Sequence, residues 1–343
     1  MAIALRFTES RVGICRPAPV ETASIQGRST GCETTGGGWS ASERGFIRGC
    51  LGGKVLAYYI NLDSRPDRRA FMEKQFAALG LEVERLPATT PESIRDEDIA
   101  PHSMTDLAAG LSPAEIAISV SHFRIWKRML DKGQPCALVL EDDVLLSARL
   151  PEFLAAVERA DADEGILKIE TRMTEVQIHR RAEPGAPGFD YHLPLSFEPG
   201  SAAYIITAAC AARILSSPQR LSLPVDLVLF SPISPLRDPS SLRVAVPALA
   251  VNRPEISSDF DVPESILASD AEAARLAHIS PPHPKMAKMP VGVKKVWREF
   301  RRLAHQPNRI YRAIQSSIAS RTTIIPLADR RFGDPRSTVR PRP

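Results

Sequence analysis

The pattern with the clearest chemical potential is a run of three acidic residues, Glu141, Asp142 and Asp143, directly after the apolar residues 136–140. Three adjacent carboxylates repel one another in water, whereas a divalent cation that joins them to a diphosphate converts the repulsion into binding. The pattern predicts a Mn2+ or Mg2+ site with Asp143 as the first choice of ligand and Glu141 as the second. Asp142 could instead contact a ribose, and Glu141 could position its neighbours. The alternative is a solvated turn with capping Asp residues.

A second polar cluster follows another apolar run. Residues 55–60 are almost continuously apolar and β-prone, and Asn61 and Asp63 come soon after them. In an open α/β sheet, ligands bind in the crevice outside the carboxyl ends of the strands. Because each polar cluster follows a predicted buried strand, the sequence predicts one shared site.

A helix is predicted to connect the first strand to the next one. Ser64 can cap this helix, Pro66 lies near its first turn, and Gly80 ends it. Residues 83–86 then have the composition of a further strand. A strand–helix–strand unit of this type builds parallel sheets, so the predicted fold class is α/β.

A second helix is predicted before the acidic run. Ser112, Pro113 and Glu115 form a capping box with proline at the first helical position, and Gly133 ends the helix. The apolar stripe expected to face the core consists of Ile116, Val120, Phe123 and Leu130.

The order of these motifs resembles glycosyltransferase family 25, which includes bacterial lipopolysaccharide and lipooligosaccharide sugar transferases and is related to collagen galactosyltransferases. The resemblance covers residues 55–230, and one departure is Ala117, where the family usually has glycine. The matching segments are 59–63 with Arg65, Arg68 and Arg69, then 111–116 leading to Ser121 and His122, then 138–143, 167–171, 200–206 and 224–226.

The resemblance implies a GT-A-like fold, in which helices flank a nucleotide-sugar-binding sheet. It also implies inverting, metal-dependent transfer of a hexose, galactose or glucose, from a UDP-sugar to a hydroxyl of a lipopolysaccharide, lipooligosaccharide or other glycan acceptor. A catalytically silent binding module with the same fold is the alternative.

Several of the matched residues are expected to hold the UDP-sugar. Asn61 and Asp63 lie at a strand end and can hydrogen-bond a uridine or ribose, as Asp142 can. Phosphate neutralisation is expected of basic residues, some of them at a helix N-terminus. These are Arg65, Arg68, Arg69 and Lys168. The alternatives are a solvated basic face for the arginines and an internal ion pair with Glu170 for Lys168.

Three residues are candidates for catalysis. Asp226 is the predicted base that accepts the proton of the acceptor hydroxyl, because apolar neighbours make its carboxylate a stronger base. A buried capping role is the alternative. Glu170 could meet the sugar or acceptor. His122 lies off the apolar stripe of its helix, so it could reach the edge of the site or be a surface or half-buried histidine.

Composition and charge define the remaining parts. The chain is 43% hydrophobic and 24% charged, which is typical of a globular protein and excludes wholesale disorder and coiled coil. Residues 1–53 are predicted to be a disordered or non-native extension, residues 54–270 the glycosyltransferase domain, and residues 271–343 a linker and basic tail. No secretory h-region or membrane-spanning run is present, so a cytoplasmic location is expected.

The tail contains most of the excess positive charge. Residues 285–343 contain 15 Lys and Arg but 3 Asp and Glu, in a chain whose net charge is +4. Residues 285–313 resemble an amphipathic interfacial helix, so peripheral contact with the anionic inner membrane, near a lipid-linked acceptor, is predicted. The alternative is a tail that neutralises the acidic body. No nucleic acid is expected as a partner, because no recognised reading motif accompanies the charge.

Overall fold

The computed structural model describes residues 55–108, 110–159, 165–231, 234–236, 238, 241–252, 263–267 and 319–329. These residues belong to the larger of the two units into which the chain divides, residues 44–343. Their strands are β1 Leu56–Asn61, β2 Val83–Pro87, β3 Cys136–Glu141, β4 Leu145–Leu146, β5 Ile166–Lys168, β6 Glu170–Thr171, β7 Glu175–His179, β8 Glu183–Pro184, β9 Asp190–His192, β10 Ala203–Thr207, β11 Leu242–Val246, β12 Ala250–Val251 and β13 Ser320–Ile324. Their helices are α1 Pro66–Leu79, α2 Asp96–Ile99, α3 Met104–Leu107, α4 Pro113–Asp131, α5 Leu150–Arg159, α6 Ala208–Ser216, α7 Val225–Phe230 and α8 Glu264–Leu267.

A mixed sheet forms the centre of this unit, with the strand order β2-β1-β3-β10-β5-β11-β9-β8. β1 is parallel to both β2 and β3, whereas β10 is antiparallel to β3 and β5. The predicted strand–helix–strand unit is therefore confirmed as β1, α1 and β2. Two short sheets, β4-β12-β6 and β13-β7, complete the described strands.

Helices cover both faces of the sheet, as the alternation of side chains along β1 demonstrates. Tyr59 packs with Met72 and Phe76 of α1, whereas Tyr58 packs in a second cluster with Trp126 of α4. Successive side chains of a strand point to opposite faces, so a strand with apolar residues at every position needs cover on both sides. The expected α/β class with helices flanking a sheet is confirmed.

The helix ends agree with most of the predicted signals. The side chain of Ser112 accepts a hydrogen bond from the N–H of Glu115 at 3.2 Å, and the carboxylate of Glu115 accepts one from the N–H of Ser112 at 2.9 Å. Gly80 has the left-handed φ of 64° that ends α1. The cap of α1 differs from the prediction, since Arg65 occupies the N-cap position instead of Ser64 and its side chain makes no capping bond.

Helix α4 is buried around most of its circumference. The predicted stripe residues Ile116 and Val120 are fully buried, and so are His122 and Trp126 on another side. Because α6 and α7 pack against α4 in addition to the sheet, both sides of the helix are covered.

Frequent prolines and few periodic signals in residues 231–263 favour loops, and the structure differs from this expectation at residues 242–246. They form β11, which lies inside the central sheet, parallel to β5 and antiparallel to β9. The prolines of this region obscured the short apolar run that becomes the strand. The pattern of residues 168–170 favours one strand with polar ends, but the structure divides these residues between two strands, because β5 pairs with β10 whereas β6 pairs with β12.

Part of the predicted basic tail contributes to the folded unit. β13 pairs with β7 in antiparallel register, and the hydroxyl of Thr171 donates to the carbonyl of Ile325 at 3.0 Å. The carboxylate of Asp329 accepts a hydrogen bond from the N–H of Ala148 at 3.1 Å. Residues 1–53 and 285–313 lie outside the described residues. In the part of the chain that is described, no helix has the length and apolarity needed to cross a bilayer.

Candidate active site

The two polar clusters meet at the carboxyl ends of β1 and β3. These strands are parallel neighbours, with Ile60 in register with Glu141. The side-chain N–H of Asn61 donates to Oδ2 of Asp142 at 2.6 Å and to the carbonyl of Arg65 at 3.1 Å. The predicted proximity of the two polar clusters is therefore confirmed.

Asp142 is held by a buried arginine. Nη1 of Arg68 lies 3.0 Å from Oδ1 of Asp142, and the two side chains are 5% and 9% exposed. Burial raises the pKa of Asp142, and its bonds to Asn61 and Arg68 oppose this without reversing it. Arg68 is thus engaged with a carboxylate and not presented as a free cation for phosphates, and both oxygens of Asp142 have protein partners.

Asp143 has a buried oxygen without a partner. Its Oδ1 makes no hydrogen bond, while its main-chain carbonyl accepts one from the side chain of Asn252 at 2.8 Å. Burial, together with the negative charge of Glu141, raises the pKa of Asp143 well above the ordinary range, against the opposing effect of Arg68. A buried polar atom without a partner is costly, so this oxygen points to a ligand.

Glu141 lies beside Asp143 and has two polar neighbours. The hydroxyl of Ser201 donates to Oε1 of Glu141 at 2.6 Å, and Nε2 of His122 lies 3.3 Å from the same oxygen. Burial would raise the pKa of Glu141, but the contacts with His122 and Ser201 and the charge of Lys168 outweigh it and lower the pKa. Glu141 is therefore favoured in the ionised form.

His122 is fully buried, so the surface and half-buried alternatives are wrong. Its Nδ1 lies 2.8 Å from the hydroxyl of Tyr204, which also accepts a hydrogen bond from the indole of Trp126 at 3.0 Å. Because α4 is covered on both sides, His122 lies in the core. It approaches Glu141 from the buried side of the site.

Lys168 and Glu170 form the internal ion pair that was the alternative in the sequence analysis. Nζ of Lys168 lies 2.9 Å from Oε1 of Glu170, and their side chains are 3% and 0% exposed. Lys168 also donates to the carbonyls of Glu198 and Gly200. Burial raises the pKa of Glu170, although Lys168 opposes this. Lys168 therefore holds the 198–200 loop, whereas Glu170 holds Lys168 and accepts a hydrogen bond from the N–H of Ala203 at 2.6 Å.

Three other predicted donor-binding residues are paired with charged side chains outside the acidic run. The guanidinium of Arg65 lies 2.9 Å from Asp67, and that of Arg69 lies 2.8 Å from Glu73 on the exposed side of α1. Asp63 is paired with Arg85. Arg85 was not a sequence candidate, yet its Nε donates to Oδ1 of Asn61 at 3.0 Å and so helps to orient that side chain.

Two clefts meet at Glu141 and Asp143, which together form the acidic pair. The first, of about 200 Å³, lies between the ends of β1 and β3, the segment after β2, and α4. The second, of about 310 Å³, lies on the α7 side of the pair. The first is lined by Asn61, Arg68, Thr89, Thr90, Ser121 and Asp142, among others. Glu141, Asp143 and Ile118 line both clefts.

Asp226, the predicted base, lies in the second cleft. It sits in the first turn of α7, where its Oδ1 accepts from the N–H of Leu227 at 2.8 Å and its Oδ2 from the N–H of Gly200 at 3.3 Å. The fold thus brings Asp226 to the same cleft as Glu141 and Asp143, although more than 80 residues separate them in sequence.

Two residues of the second cleft were missed by sequence reasoning. Arg172 and Asn252 both line it, and within the described residues the guanidinium of Arg172 has no hydrogen-bond or ion-pair partner. The N–H of Arg172 donates to Glu198 at 2.8 Å, and the next residue, Met173, has a left-handed φ of 53°. Arg172 directly follows the motif at 167–171, which was the available signal.

The acidic run does not form a cation site made of three protein side chains. Among the described residues, no three His, Cys, Asp or Glu side chains converge in a way that could hold a metal ion. Asp142 is occupied by Arg68 and Asn61, so a cation shared by all three acidic residues does not fit. The partnerless oxygen of Asp143 fits a cation that takes one or two protein carboxylates and completes its coordination with substrate phosphates and water.

The comparisons with known proteins agree with the motif order. The profile described as Glycosyltransferase family 25 (LPS biosynthesis protein) matches residues 56–229, and the chain belongs to this family. The match covers half of the chain and includes Asn61, the acidic run and Asp226.

Among curated proteins, a lacto-N-neotetraose biosynthesis glycosyltransferase LgtB of Neisseria meningitidis is 31% identical over 189 residues, which are 51% of this chain and 67% of that protein. A Glycosyltransferase 25 family member of Anopheles gambiae is 30% identical over 182 residues, 49% of this chain and 30% of that protein. The lipooligosaccharide biosynthesis protein lic2B of Haemophilus influenzae is 26% identical over 185 residues, 51% of this chain and 70% of that protein. The alignment thus spans from about a third to about two thirds of the relatives' own lengths.

Among solved structures, a mannose-1-phosphate geranyltransferase from Thermus thermophilus aligns with 58% of this chain and 74% of its own. Its sequence identity is 13% and its TM-score is 0.31, which is too low to support an inference.

Proposed function

We propose that this protein is a glycosyltransferase that moves a hexose from a UDP-sugar to a hydroxyl of a glycan acceptor in lipopolysaccharide or lipooligosaccharide synthesis, with inversion at the anomeric carbon. The observation that carries the proposal is the pair of adjoining clefts that share Glu141 and Asp143. A transferase needs its donor and its acceptor to meet at one point, and these two carboxylates mark such a point.

The first cleft is assigned to the UDP portion of the donor. Thr89 and Thr90 offer hydroxyls to a uridine or ribose, and Ile118 offers an apolar surface. Asn61 forms the wall of the cleft, since its side chain is already bonded to Asp142, Arg85 and the carbonyl of Arg65. Arg68 acts by holding Asp142 in place, since its guanidinium is already paired. The diphosphate then lies toward Asp143, at the end of the cleft that leads to the second one. The GT-A-like character of the sheet is part of this proposal.

Mn2+ or Mg2+ would be held by Asp143, with Glu141 beside it. When bound there, the cation neutralises the charge that develops on the departing diphosphate. Asp143 carries a buried oxygen that has no protein partner, which matches this role. Glu141, whose pKa is lowered by the contacts with His122 and Ser201 despite its burial, adds a fixed negative charge beside it.

The second cleft is assigned to the acceptor glycan. Asp226 accepts the proton of the attacking hydroxyl while that oxygen bonds to the anomeric carbon on the face opposite the departing UDP. Arg172 and Asn252 line the same cleft and provide donors for sugar oxygens. Glu170 supports this site from within the core, and His122, although fully buried, borders the first cleft beside Glu141.

The relatives indicate the class of sugar and acceptor. LgtB is named for lacto-N-neotetraose biosynthesis, and lic2B for lipooligosaccharide biosynthesis. By extension, we assign galactose or glucose as the transferred hexose and a lipid-linked oligosaccharide as the acceptor.

The direct test is a screen of UDP-galactose and UDP-glucose, each with Mn2+, Mg2+ or EDTA, that measures UDP release with and without a glycan acceptor. The proposal expects acceptor-dependent release with one donor and a cation. The matched control is Asp226→Asn, which should bind the donor but release UDP far more slowly. Binding of a UDP-sugar without transfer to any acceptor would instead identify a silent binding module.

A cytoplasmic location with peripheral membrane contact through residues 285–313 remains part of the proposal. Removing residues 285–343 would not test it cleanly, because β13 and Asp329 contact the folded unit. A better variant replaces the seven Lys and Arg between residues 294 and 312 with Gln and keeps residues 319–329. The intact protein should sediment with anionic vesicles at low salt and the variant should not. Failure of the intact protein to sediment would refute the contact, and equal sedimentation of both would refute its assignment to these charges.

A further inference from the structure

A chain of buried polar groups runs from the core to Glu141. The indole N–H of Trp126 donates to the hydroxyl of Tyr204 at 3.0 Å, and that hydroxyl lies 2.8 Å from Nδ1 of His122. Nε2 of His122 faces Oε1 of Glu141 at 3.3 Å, an ion-pair distance without hydrogen-bond geometry, and Nε2 has no hydrogen-bond partner among the described residues. Trp126, Tyr204 and His122 are each 0% exposed.

The hydrogen bonds among Trp126, Tyr204 and His122 all donate toward Glu141. An indole N–H can only donate, so it occupies a lone pair of the Tyr204 oxygen. The hydroxyl proton of Tyr204 is buried and must itself be donated, and within the described residues Nδ1 of His122 is its acceptor. Nδ1 therefore accepts, and the proton of the neutral imidazole sits on Nε2, which faces Glu141.

Packing leaves the imidazole little freedom. Its ring stacks on that of Tyr204 with centroids 5.8 Å apart, and the ring of Trp126 lies 6.4 Å away on the same helix. An apolar residue would fill this space without any buried polar group. A fully buried polar network instead specifies one geometry, because each group has few partners to choose from.

We propose that Trp126, Tyr204 and His122 act together to position Glu141 at the junction of the two clefts. His122, fixed with its proton on Nε2, and the hydroxyl of Ser201 both address Oε1 of Glu141. The other carboxylate oxygen is then presented to the junction. His122 is a positioning residue that acts through Glu141. The effect of this positioning on sugar transfer rests on the proposed function, whereas the tautomer of His122 does not.

The Tyr204→Phe variant tests this chain, because it removes one hydroxyl and keeps the ring. Nitrogen-15 NMR of protein labelled on histidine reports which ring nitrogen carries the proton, and His122→Gln identifies the signal among the seven histidines. We expect a proton on Nε2 in the wild type and loss of that preference in Tyr204→Phe. With the active donor, kcat should fall about tenfold or more while the donor KM changes little.

Tyr191→Phe is the matched control. Tyr191 is buried, its hydroxyl accepts a hydrogen bond from the N–H of Ala186 at 3.3 Å, and it lines neither cleft. The Tyr191→Phe variant should leave both the His122 NMR signal and kcat unchanged.

A proton on Nδ1 in the wild type would overturn the donor and acceptor roles assigned to Tyr204 and His122. An unchanged kcat in a folded Tyr204→Phe variant would overturn its role in transfer. If no UDP-sugar is transferred at all, the proposed function fails, and the catalytic role of Trp126, Tyr204 and His122 fails with it. The NMR measurement still decides which tautomer His122 adopts.

Discussion

Gly200 lies so close to Glu170 that a β-carbon at position 200 would overlap Oε1 of that carboxylate. The φ of Gly200 is 108°, a conformation that other residues rarely adopt. Its carbonyl accepts from Nζ of Lys168 at 2.7 Å, and its N–H donates to Asp226 at 3.3 Å. Through this one residue, the buried Lys168–Glu170 pair is connected to the candidate base.

Gly200→Ala should therefore displace either the ion pair or the loop that holds Asp226. We expect a lower Tm and a loss of kcat that exceeds any change in the donor KM. Gly110→Ala is the matched control, because a β-carbon there would meet no atom within 4 Å. Thermal unfolding and steady-state kinetics of the two variants measure the difference. Wild-type kinetics in Gly200→Ala would show that the loop does not position Asp226.

The partnerless oxygen of Asp143 predicts a pH effect on stability. Burial and the charge of Glu141 raise the pKa of Asp143 in the folded state, so the fold holds this proton more tightly than the unfolded chain does. The free energy of unfolding then falls as the pH rises from the ordinary aspartate pKa toward the raised one. Without metal at pH 7.5, Asp143→Asn should therefore raise Tm, by about 2–4 °C for each kcal/mol recovered.

Adding metal should reverse the order of the Tm values of the wild type and Asp143→Asn. Mn2+ should raise the Tm of the wild type, because a ligand that binds only the folded state stabilises it, and should leave Asp143→Asn nearly unchanged. The same variant should lose transfer activity by orders of magnitude. Equal stabilisation of both proteins by Mn2+, or full wild-type activity in EDTA, would exclude Asp143 as the ligand.

Asp226→Asn should separate binding from chemistry. The amide keeps the size of the side chain, and its single oxygen can still accept from the N–H of Leu227, so only the longer bond from the N–H of Gly200 at 3.3 Å is lost. It cannot take the proton of the acceptor hydroxyl, so kcat should fall about 10²–10⁴-fold with little change in donor affinity. Calorimetric titration with UDP measures the affinity. A matching loss of donor affinity would make Asp226 a structural or donor-binding residue.

Arg68 and Arg69 are adjacent in sequence but should respond very differently to replacement. Arg68→Met leaves Asp142 buried without its ionic partner, which should cost about 3–5 kcal/mol of stability. Arg69→Met breaks an exposed pair with Glu73 and should cost about 0.5 kcal/mol or less. Chemical denaturation measures both values. Equal costs would mean that the Arg68–Asp142 pair contributes no more than a surface pair.

Arg172 should govern the use of the acceptor. Its guanidinium lines the second cleft and has no partner within the described residues, so Arg172→Gln should raise the acceptor KM and leave the donor KM unchanged. Arg128→Gln, which breaks an exposed pair with Glu84, is the control and should alter neither value. A rise in the donor KM instead would assign Arg172 to the diphosphate.

Local patterns were sufficient to predict the elements around the site. The buried strand before Glu141, the capping box at Ser112 and the left-handed glycine at position 80 all depend on interactions within a few residues. Short-range steric and hydrogen-bonding preferences of this kind can be read directly from a sequence. Even the meeting of Asn61 with the acidic run follows from a general rule on parallel strands.

Long-range packing decided which of the candidates face the clefts. The sequence by itself determined an α/β fold of this family, an acidic cluster at a strand end and the residues available for chemistry. Only the tertiary structure decided that Arg68 pairs with Asp142, that Lys168 pairs with Glu170 and that His122 is buried beneath Glu141. It also decided that β11 lies inside the sheet and that Arg172 lines the second cleft. The physical reason is that a charged side chain takes its partner and its burial from neighbours that are remote in the chain, and local periodicity carries no information about them.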